Sequence, residues 1–140
     1  MSPLDEQLIH RKAKLIEEDL QKLVPYQKLG EEDYSKNEAS QLAVERLMER
    51  IIGRLIDVNY HLLKEKFGKL PVDYFDSFMA LTKEGVVSHE LARSVAKSVG
   101  LRNILAHEYD TIDPVKVYQA ITDALKEVPQ YLQAILSQIH

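Results

Sequence analysis

The 140-residue chain contains no cysteine, which excludes disulfide bonds, thiolate metal ligands and a cysteine nucleophile. It also lacks an apolar run long enough to cross a membrane. The first residues, Met1 to Glu6, have neither a basic flank nor an apolar signal core. We therefore expect no membrane association and a cytoplasmic location, and the absence of cysteine fits a reducing compartment.

An excess of basic residues is missing as well. Eighteen lysines and arginines stand against 22 aspartates and glutamates, which gives a formal net charge of −4. Proteins that bind nucleic acid usually carry a basic footprint, and the chain as a whole has none. If it binds RNA, it must do so through a local cationic cluster, with a modest and salt-sensitive affinity.

Two kinds of ligand site are absent from the sequence. No glycine-rich phosphate loop is present, so we predict that the chain does not bind ATP as a nucleotidyltransferase would. The five histidines are scattered, and no histidine–carboxylate cluster has metal-ligand spacing. We predict neither a metal site nor a cofactor. The acidic run Glu17-Glu18-Asp19 is interpreted as solvated helix surface.

Helical periodicity, in contrast, dominates the chain. Apolar residues recur at spacings of three and four in three segments, and no alternating strand pattern of useful length is present. These segments are 9–23, 44–62 and 118–139. Two shorter helices are predicted at about Val72–Lys83 and Ser88–His107. The prediction is a single all-α domain over residues 1–140, a four- to five-helix up-and-down bundle.

Proline and glycine punctuate these helices. Pro25 and Gly30 are predicted to separate the first helix from the second. Asp113 followed by Pro114 is a strong start signal for the last helix, with aspartate as N-cap and proline at the first helical position. Pro129 lies inside the last apolar stripe, where we expect a kink or a break, because a straight helix there costs about 3 kcal/mol.

One segment, Arg102–Tyr109, concentrates polar chemistry at the predicted end of the fourth helix. Its guanidinium, amide, imidazole and phenol fall within eight positions. Asn103 and His107 are four residues apart and share a helix face. Arg102 and His107 are five apart, about 140° around an ideal helix. These two side chains converge only if two copies meet across a dimer axis or if the helix unwinds near His107.

Such groups suit metal-free cleavage of RNA. A base must take the proton of the 2′-hydroxyl, which then attacks phosphorus, and a cation must stabilise the phosphate oxygens. Histidine titrates near neutrality, and arginine binds phosphate bidentately. The spacing by itself is weak evidence, since Arg54 and His61 satisfy a slightly longer version of it. From spacing alone, the favoured interpretation is that His107 interacts with helix C-terminal carbonyls and that Arg102 is a solvated surface residue.

Residues Arg102 to Asp110 resemble the signature of the HepT-like branch of the HEPN superfamily. That signature is arginine, a polar residue, three more residues, histidine, any residue and tyrosine, and Arg102, Asn103, His107 and Tyr109 match it. The resemblance implies a homodimeric, metal-independent ribonuclease, the toxin of a type VII-like toxin–antitoxin pair, with transfer RNA as a target. Arg102 and His107 would be catalytic, with Asn103 in support, in a cleft at the dimer interface.

The resemblance also implies a partner, a minimal nucleotidyltransferase antitoxin that attaches AMP to Tyr109. Phosphate beside Arg102 and His107 would place negative charge and bulk where the RNA phosphate must sit. Without the family context, Tyr109 fits a partly buried turn tyrosine equally well. Tyr60 and Tyr74 are predicted to be core or interface residues rather than base-stacking groups.

A charged stripe lies on the second long helix. Its members, at spacings of 4, 4, 3 and 4, are Arg46, Arg50, Arg54, Asp57 and His61. One interpretation is an RNA-binding track of the three arginines. The other, which we favour, is a solvated or intersubunit face in which Asp57 pairs with Arg54 or His61, and Glu49 or Glu45 offsets the arginines.

Two further functions fit the same fold. The chain would serve as a non-catalytic helical dimer that binds or scaffolds a nucleotidyltransferase partner, or as a plain structural dimerisation module. In the second case Arg102 and His107 would be freely replaceable.

Overall fold

The computed structural model describes residues 4–139, which form seven α-helices, one 3-10 turn and no strand. The helices are α1 (Glu6–Leu29), α2 (Glu31–Ser35), α3 (Glu38–Phe67), α4 (Tyr74–Lys83), α5 (His89–Ala96), α6 (Ser98–His107) and α7 (Pro114–Leu136), and the 3-10 turn is Tyr109–Thr111. The all-α prediction is confirmed. The long helix α3 lies at the centre, where it contacts α1, α4, α6 and α7.

Each of the five predicted helices is present, with two differences. The short helix α2 was not predicted, and the predicted fourth helix is divided at Lys97 into α5 and α6. At this junction the Ser98 hydroxyl donates a hydrogen bond to the Val95 carbonyl, 2.5 Å away. A side-chain donor thus satisfies a carbonyl near the point where the helix is interrupted.

The prediction that Pro25 separates two helices is wrong. Pro25 lies inside α1, which continues to Leu29 and ends at Gly30, where φ is +86°, a value that favours glycine. Pro129 likewise lies inside α7 without breaking it. Both prolines are exposed, so the carbonyl groups that lose their helical donors lie on the solvent side.

Side-chain caps fix the helix starts. Asp113 accepts a hydrogen bond from the Val115 N–H, and Pro114 occupies the first helical position, as predicted. Asp5, Asn37, Asp73 and Ser88 cap four other helices in the same way. The sequence therefore specifies the entry into α7, immediately after the segment that carries the candidate site.

A buried polar network joins three helices. The Asn59 side-chain amide on α3 donates to the Ser77 hydroxyl of α4 at 3.1 Å. The Tyr131 hydroxyl of α7 donates to the Asn59 side-chain oxygen at 2.5 Å. All three residues are fully buried, so these bonds satisfy polar groups that would otherwise destabilise the core.

Alkaline pH is expected to destabilise this core. Burial raises the pKa of Tyr131, despite its bond to Asn59, and burial together with Glu45 raises the pKa of Tyr34. A raised folded-state pKa leaves stability intact below the unfolded value of about 10 and removes it as the pH rises further. The free energy of unfolding should fall above pH 10 by about 1.4 kcal/mol per pH unit for each group.

Urea unfolding of wild type and Tyr131→Phe between pH 8 and pH 11.5 measures this effect. The variant keeps the ring but removes the titration of Tyr131, so its stability should decline less steeply with pH. Equal slopes for the two proteins would rule out a contribution from Tyr131.

Candidate active site

The candidate residues lie on α6 and on the turn that follows it. Buried Leu105 anchors this helix to the core, and Leu101 packs against the core beside it. His107 is the last helical residue, and the Glu108 N–H still donates to the Ile104 carbonyl at 2.8 Å. The helix thus remains wound as far as His107.

The imidazole of His107 is exposed and makes no hydrogen bond or ion pair within residues 4–139. The alternative in which His107 caps helix carbonyls therefore finds no supporting contact. Asn103, one turn earlier on the same face, is exposed too. Both side chains are accessible to a substrate.

Arg102 is half-buried, so the description of it as a solvated surface residue is wrong. Its guanidinium carbon lies 5.3 Å from the centre of the Tyr74 ring. Within the described part of the chain, no carboxylate forms an ion pair with it. The guanidinium therefore keeps its hydrogen-bond donors available for an anion.

Tyr109 is 71% exposed, which rules out the partly buried turn tyrosine that the sequence also allowed. It begins the 3-10 turn, two residues after His107. The Thr111 N–H and hydroxyl both bond to the Glu108 carbonyl, each at 2.9 Å, and close this turn. The phenol is held on a short ordered turn and is accessible to another enzyme.

The arginines of α3 do not form a free cationic track. Arg54 binds Asp19 of α1 at 2.8 Å, and Arg50 binds the same carboxylate at 3.1 Å. Asp19 is only 1% exposed, so its assignment to solvated surface is wrong. It lies between Ile16 and Leu23 on the buried stripe of α1, and this position was the overlooked signal.

The remaining charges of the α3 stripe pair differently from the prediction. Asp57 pairs with Lys12 of α1 at 2.9 Å, not with Arg54 or His61. His61 instead accepts a hydrogen bond from the Asp5 N–H at 2.9 Å. Arg46 is 71% exposed and lies 3.8 Å from Glu49, so the predicted offset by a glutamate is confirmed at this position.

A cleft of about 650 Å³ opens between α1, α3, α4 and α6, and we call it the α3–α6 cleft. Its cationic and aromatic lining consists of Lys12, Arg50, Arg54, Tyr60, Tyr74 and Arg102. His107, Asn103 and Tyr109 do not line it. The structure thus joins Arg102 to the α3 arginines, whereas the helix separates Arg102 from His107 within one chain.

A second cavity, of about 590 Å³, lies between α3, α6 and α7 and is lined mainly by apolar side chains. None of the candidate residues lines it. In residues 4–139, no three or more His, Cys, Asp or Glu side chains are grouped so that they could hold a metal ion. No helix in the same range is long and apolar enough to span a membrane.

Comparison of the sequence with known protein families decides the functional class of the chain. Residues 16–135 match the profile described as ribonuclease HepT-like. The chain belongs to the HepT-like ribonuclease family. This confirms both the resemblance read from Arg102–Asp110 and the enzyme class, ribonuclease.

Two HepT relatives have named activities. The chain is 38% identical over 140 residues to a tRNA nuclease HepT of Aphanizomenon flos-aquae, which covers 99% of this chain and 95% of the relative. It is 25% identical over 91 residues to an mRNA nuclease HepT of Shewanella oneidensis, which covers 65% and 68% of the two chains.

A solved structure confirms the HEPN-like fold of this HepT-like chain. It is the tri-AMPylated HEPN toxin of Shewanella oneidensis in complex with its MNT antitoxin. The superposition has a TM-score of 0.83 at 22% identity and covers 93% of this chain and 97% of the toxin. At this identity the likeness establishes the fold alone.

Proposed function

We propose that this HepT-like chain is a cytoplasmic, metal-independent endoribonuclease, the toxin of a type VII-like toxin–antitoxin pair, and that it cleaves transfer RNA as a homodimer. The observation that carries the proposal is the state of two groups on α6. Among residues 4–139, no carboxylate pairs with the guanidinium of Arg102 and no group hydrogen-bonds to the imidazole of His107, in a chain of a ribonuclease family.

These two groups supply what RNA transesterification needs. His107 accepts the 2′-hydroxyl proton while the 2′-oxygen bonds to phosphorus and the bond to the 5′-oxygen breaks, and the leaving 5′-oxygen takes a proton from solvent water. Arg102 binds the non-bridging oxygens and stabilises the charge that develops on them. Asn103, on the face of His107, orients the imidazole or the phosphate. The products carry a 2′,3′-cyclic phosphate and a 5′-hydroxyl.

The geometry of α6 supports the homodimer. Arg102 lines the α3–α6 cleft and His107 does not, because five helical residues separate them by about 140°. In a single chain the two side chains therefore point in different directions. A second copy placed against α6 supplies the missing group to each cleft, which gives two symmetric sites.

Transfer RNA is the favoured substrate. The relative that is 38% identical across nearly the whole chain is a tRNA nuclease, whereas the mRNA nuclease matches at 25% over 91 residues. Arg46, 71% exposed, is the α3 arginine with most freedom to contact the RNA backbone. Arg50 and Arg54 contribute positive charge to the cleft while they are bound to Asp19.

Tyr109 is the proposed point of control. A minimal nucleotidyltransferase antitoxin attaches AMP to its phenol, which is exposed and two residues from His107. The added phosphodiester brings negative charge and bulk to the place where the RNA phosphate binds. The tri-AMPylated toxin among the structural neighbours shows that a protein of this fold takes such a modification.

Incubation of the purified chain with total transfer RNA in EDTA tests the activity. We expect cleavage that persists under chelation and leaves 2′,3′-cyclic phosphate ends, because the proposed groups need no metal. Activity that is lost in EDTA and restored by a divalent cation would overturn the metal-free mechanism. An unmodified protein, verified by intact mass, that leaves transfer RNA uncut would favour the non-catalytic scaffold instead.

A further inference from the structure

Arg102 is held by an aromatic ring rather than by a carboxylate. Its guanidinium carbon lies 5.3 Å from the centre of the Tyr74 ring, within the range of an arginine–aromatic contact. Arg50 and Arg54 line the same α3–α6 cleft but are both bound to the carboxylate of Asp19. Of these three cleft arginines, Arg102 is the one that no carboxylate pairs with in the described range 4–139.

The kind of support matters for a group that must bind phosphate. A carboxylate would occupy guanidinium N–H groups and neutralise the charge, so the phosphate would have to displace it. An aromatic face attracts the cation through its quadrupole and does not use the in-plane donors. Arg102 can therefore be ordered before RNA arrives and still offer a bidentate edge.

Tyr74 is itself fixed from two sides. Its ring meets that of Tyr60 on α3 edge to face, with the centres 6.1 Å apart and the planes at 81°. Its backbone begins α4, where Asp73 accepts a hydrogen bond from the Asp76 N–H at 2.7 Å. Asp76 in turn accepts from the Val72 N–H at 2.9 Å, and these two bonds hold the turn that presents the ring.

We infer that Tyr74 is a positioning residue, which holds the Arg102 guanidinium against its ring so that the free N–H groups face the scissile phosphate. The inference rests on the proposed function for the role of Arg102 in cleavage. The contact between the two side chains stands on the geometry alone.

Cleavage kinetics of Tyr74→Leu and Tyr74→Phe, each alone and combined with Arg102→Ala, test the inference. Leucine removes the aromatic face, so kcat/KM should fall about fivefold to tenfold, the order expected for one such contact. Phenylalanine keeps the face and should stay within about twofold of wild type. In the Arg102→Ala background, Tyr74→Leu and Tyr74→Phe should behave alike. Phe75→Leu, at a neighbouring aromatic residue of similar exposure outside the cleft, is the matched control and should leave kcat/KM unchanged.

A loss from Tyr74→Leu that persists without the Arg102 guanidinium would overturn the inference, and so would a Phe variant as impaired as the Leu variant.

A second measurement, by NMR, tests the contact and does not require the protein to cleave RNA. The Arg102 Nε–H resonance should lose its ring-current shift in Tyr74→Leu and keep it in Tyr74→Phe, and an unmoved resonance in both would refute the contact. If Arg102→Ala and wild type both fail to cleave, the proposed function fails, and the positioning role fails with it even where the NMR contact is seen.

Discussion

Replacement of His107 by alanine is expected to reduce RNA cleavage by about a thousandfold, because general acid–base groups typically contribute factors of 10² to 10⁴. The imidazole is exposed and makes no hydrogen bond within residues 4–139, so its loss should not disturb the fold. Single-turnover rates on transfer RNA measure the loss of cleavage, and thermal denaturation of the same samples verifies that the variant is folded.

His89→Ala is the matched control for this experiment. His89 is another exposed histidine near a helix end, at the start of α5, and it lines neither of the two cavities. The His89→Ala protein should cleave transfer RNA at the wild-type rate. A His107→Ala protein that cleaves as fast as His89→Ala would exclude His107 from the chemistry and overturn its proposed acid–base role.

Attachment of AMP to Tyr109 is expected to abolish cleavage, with a loss of at least a hundredfold. The modification adds a negative phosphodiester within two residues of His107, where it repels the RNA phosphate and fills the space the phosphate needs. Co-incubation with the antitoxin and ATP, followed by intact mass and cleavage assays, measures both events. The mass should rise by whole AMP units as activity falls.

Tyr109→Phe separates the modification from other effects of the antitoxin. Without the phenol oxygen the chain should stay unmodified and active in the presence of antitoxin and ATP. Tyr74 is the other tyrosine with substantial exposure, so peptide mapping must distinguish the two. AMP found on Tyr74 rather than on Tyr109, or a silenced Tyr109→Phe protein, would contradict the proposed control point.

The positions of the helices could be predicted from the sequence where local signals determine where a helix lies and where it starts. Three apolar stripes specify α1, α3 and α7, and the Asp113-Pro114 pair specifies a helix start, because these signals depend only on spacing and capping. The error at Pro25 has a tertiary cause. A helix tolerates a proline more readily on its solvent side, where water can satisfy the carbonyl that loses its donor, and sequence alone does not show that Pro25 faces solvent.

The residues of the candidate site likewise fall into those that the sequence could identify and those that only the packing of the helices reveals. Arg102, His107 and Tyr109 belong to one contiguous segment, so a motif could identify them. Tyr74 lies 28 residues before Arg102 on another helix, and only the packing of α4 and α6 against α3 brings its ring to the guanidinium. Asp19 shows the limit of reading charge as exposure, since an aspartate on an apolar stripe can be buried when two arginines meet it.

The buried carboxylate of Asp19 also bears on how the proposed nuclease would hold and release RNA. Affinity for a polyanion grows with the number of condensed counterions that protein cations displace, about 0.7 per phosphate on a single strand. One carboxylate already offsets half the charge of Arg50 and Arg54, so these side chains displace fewer ions than two free arginines would. With a net charge of −4, the chain has little general attraction for polyanions. If the chain cleaves RNA as proposed, we expect the products to leave quickly, so that one molecule processes many substrates.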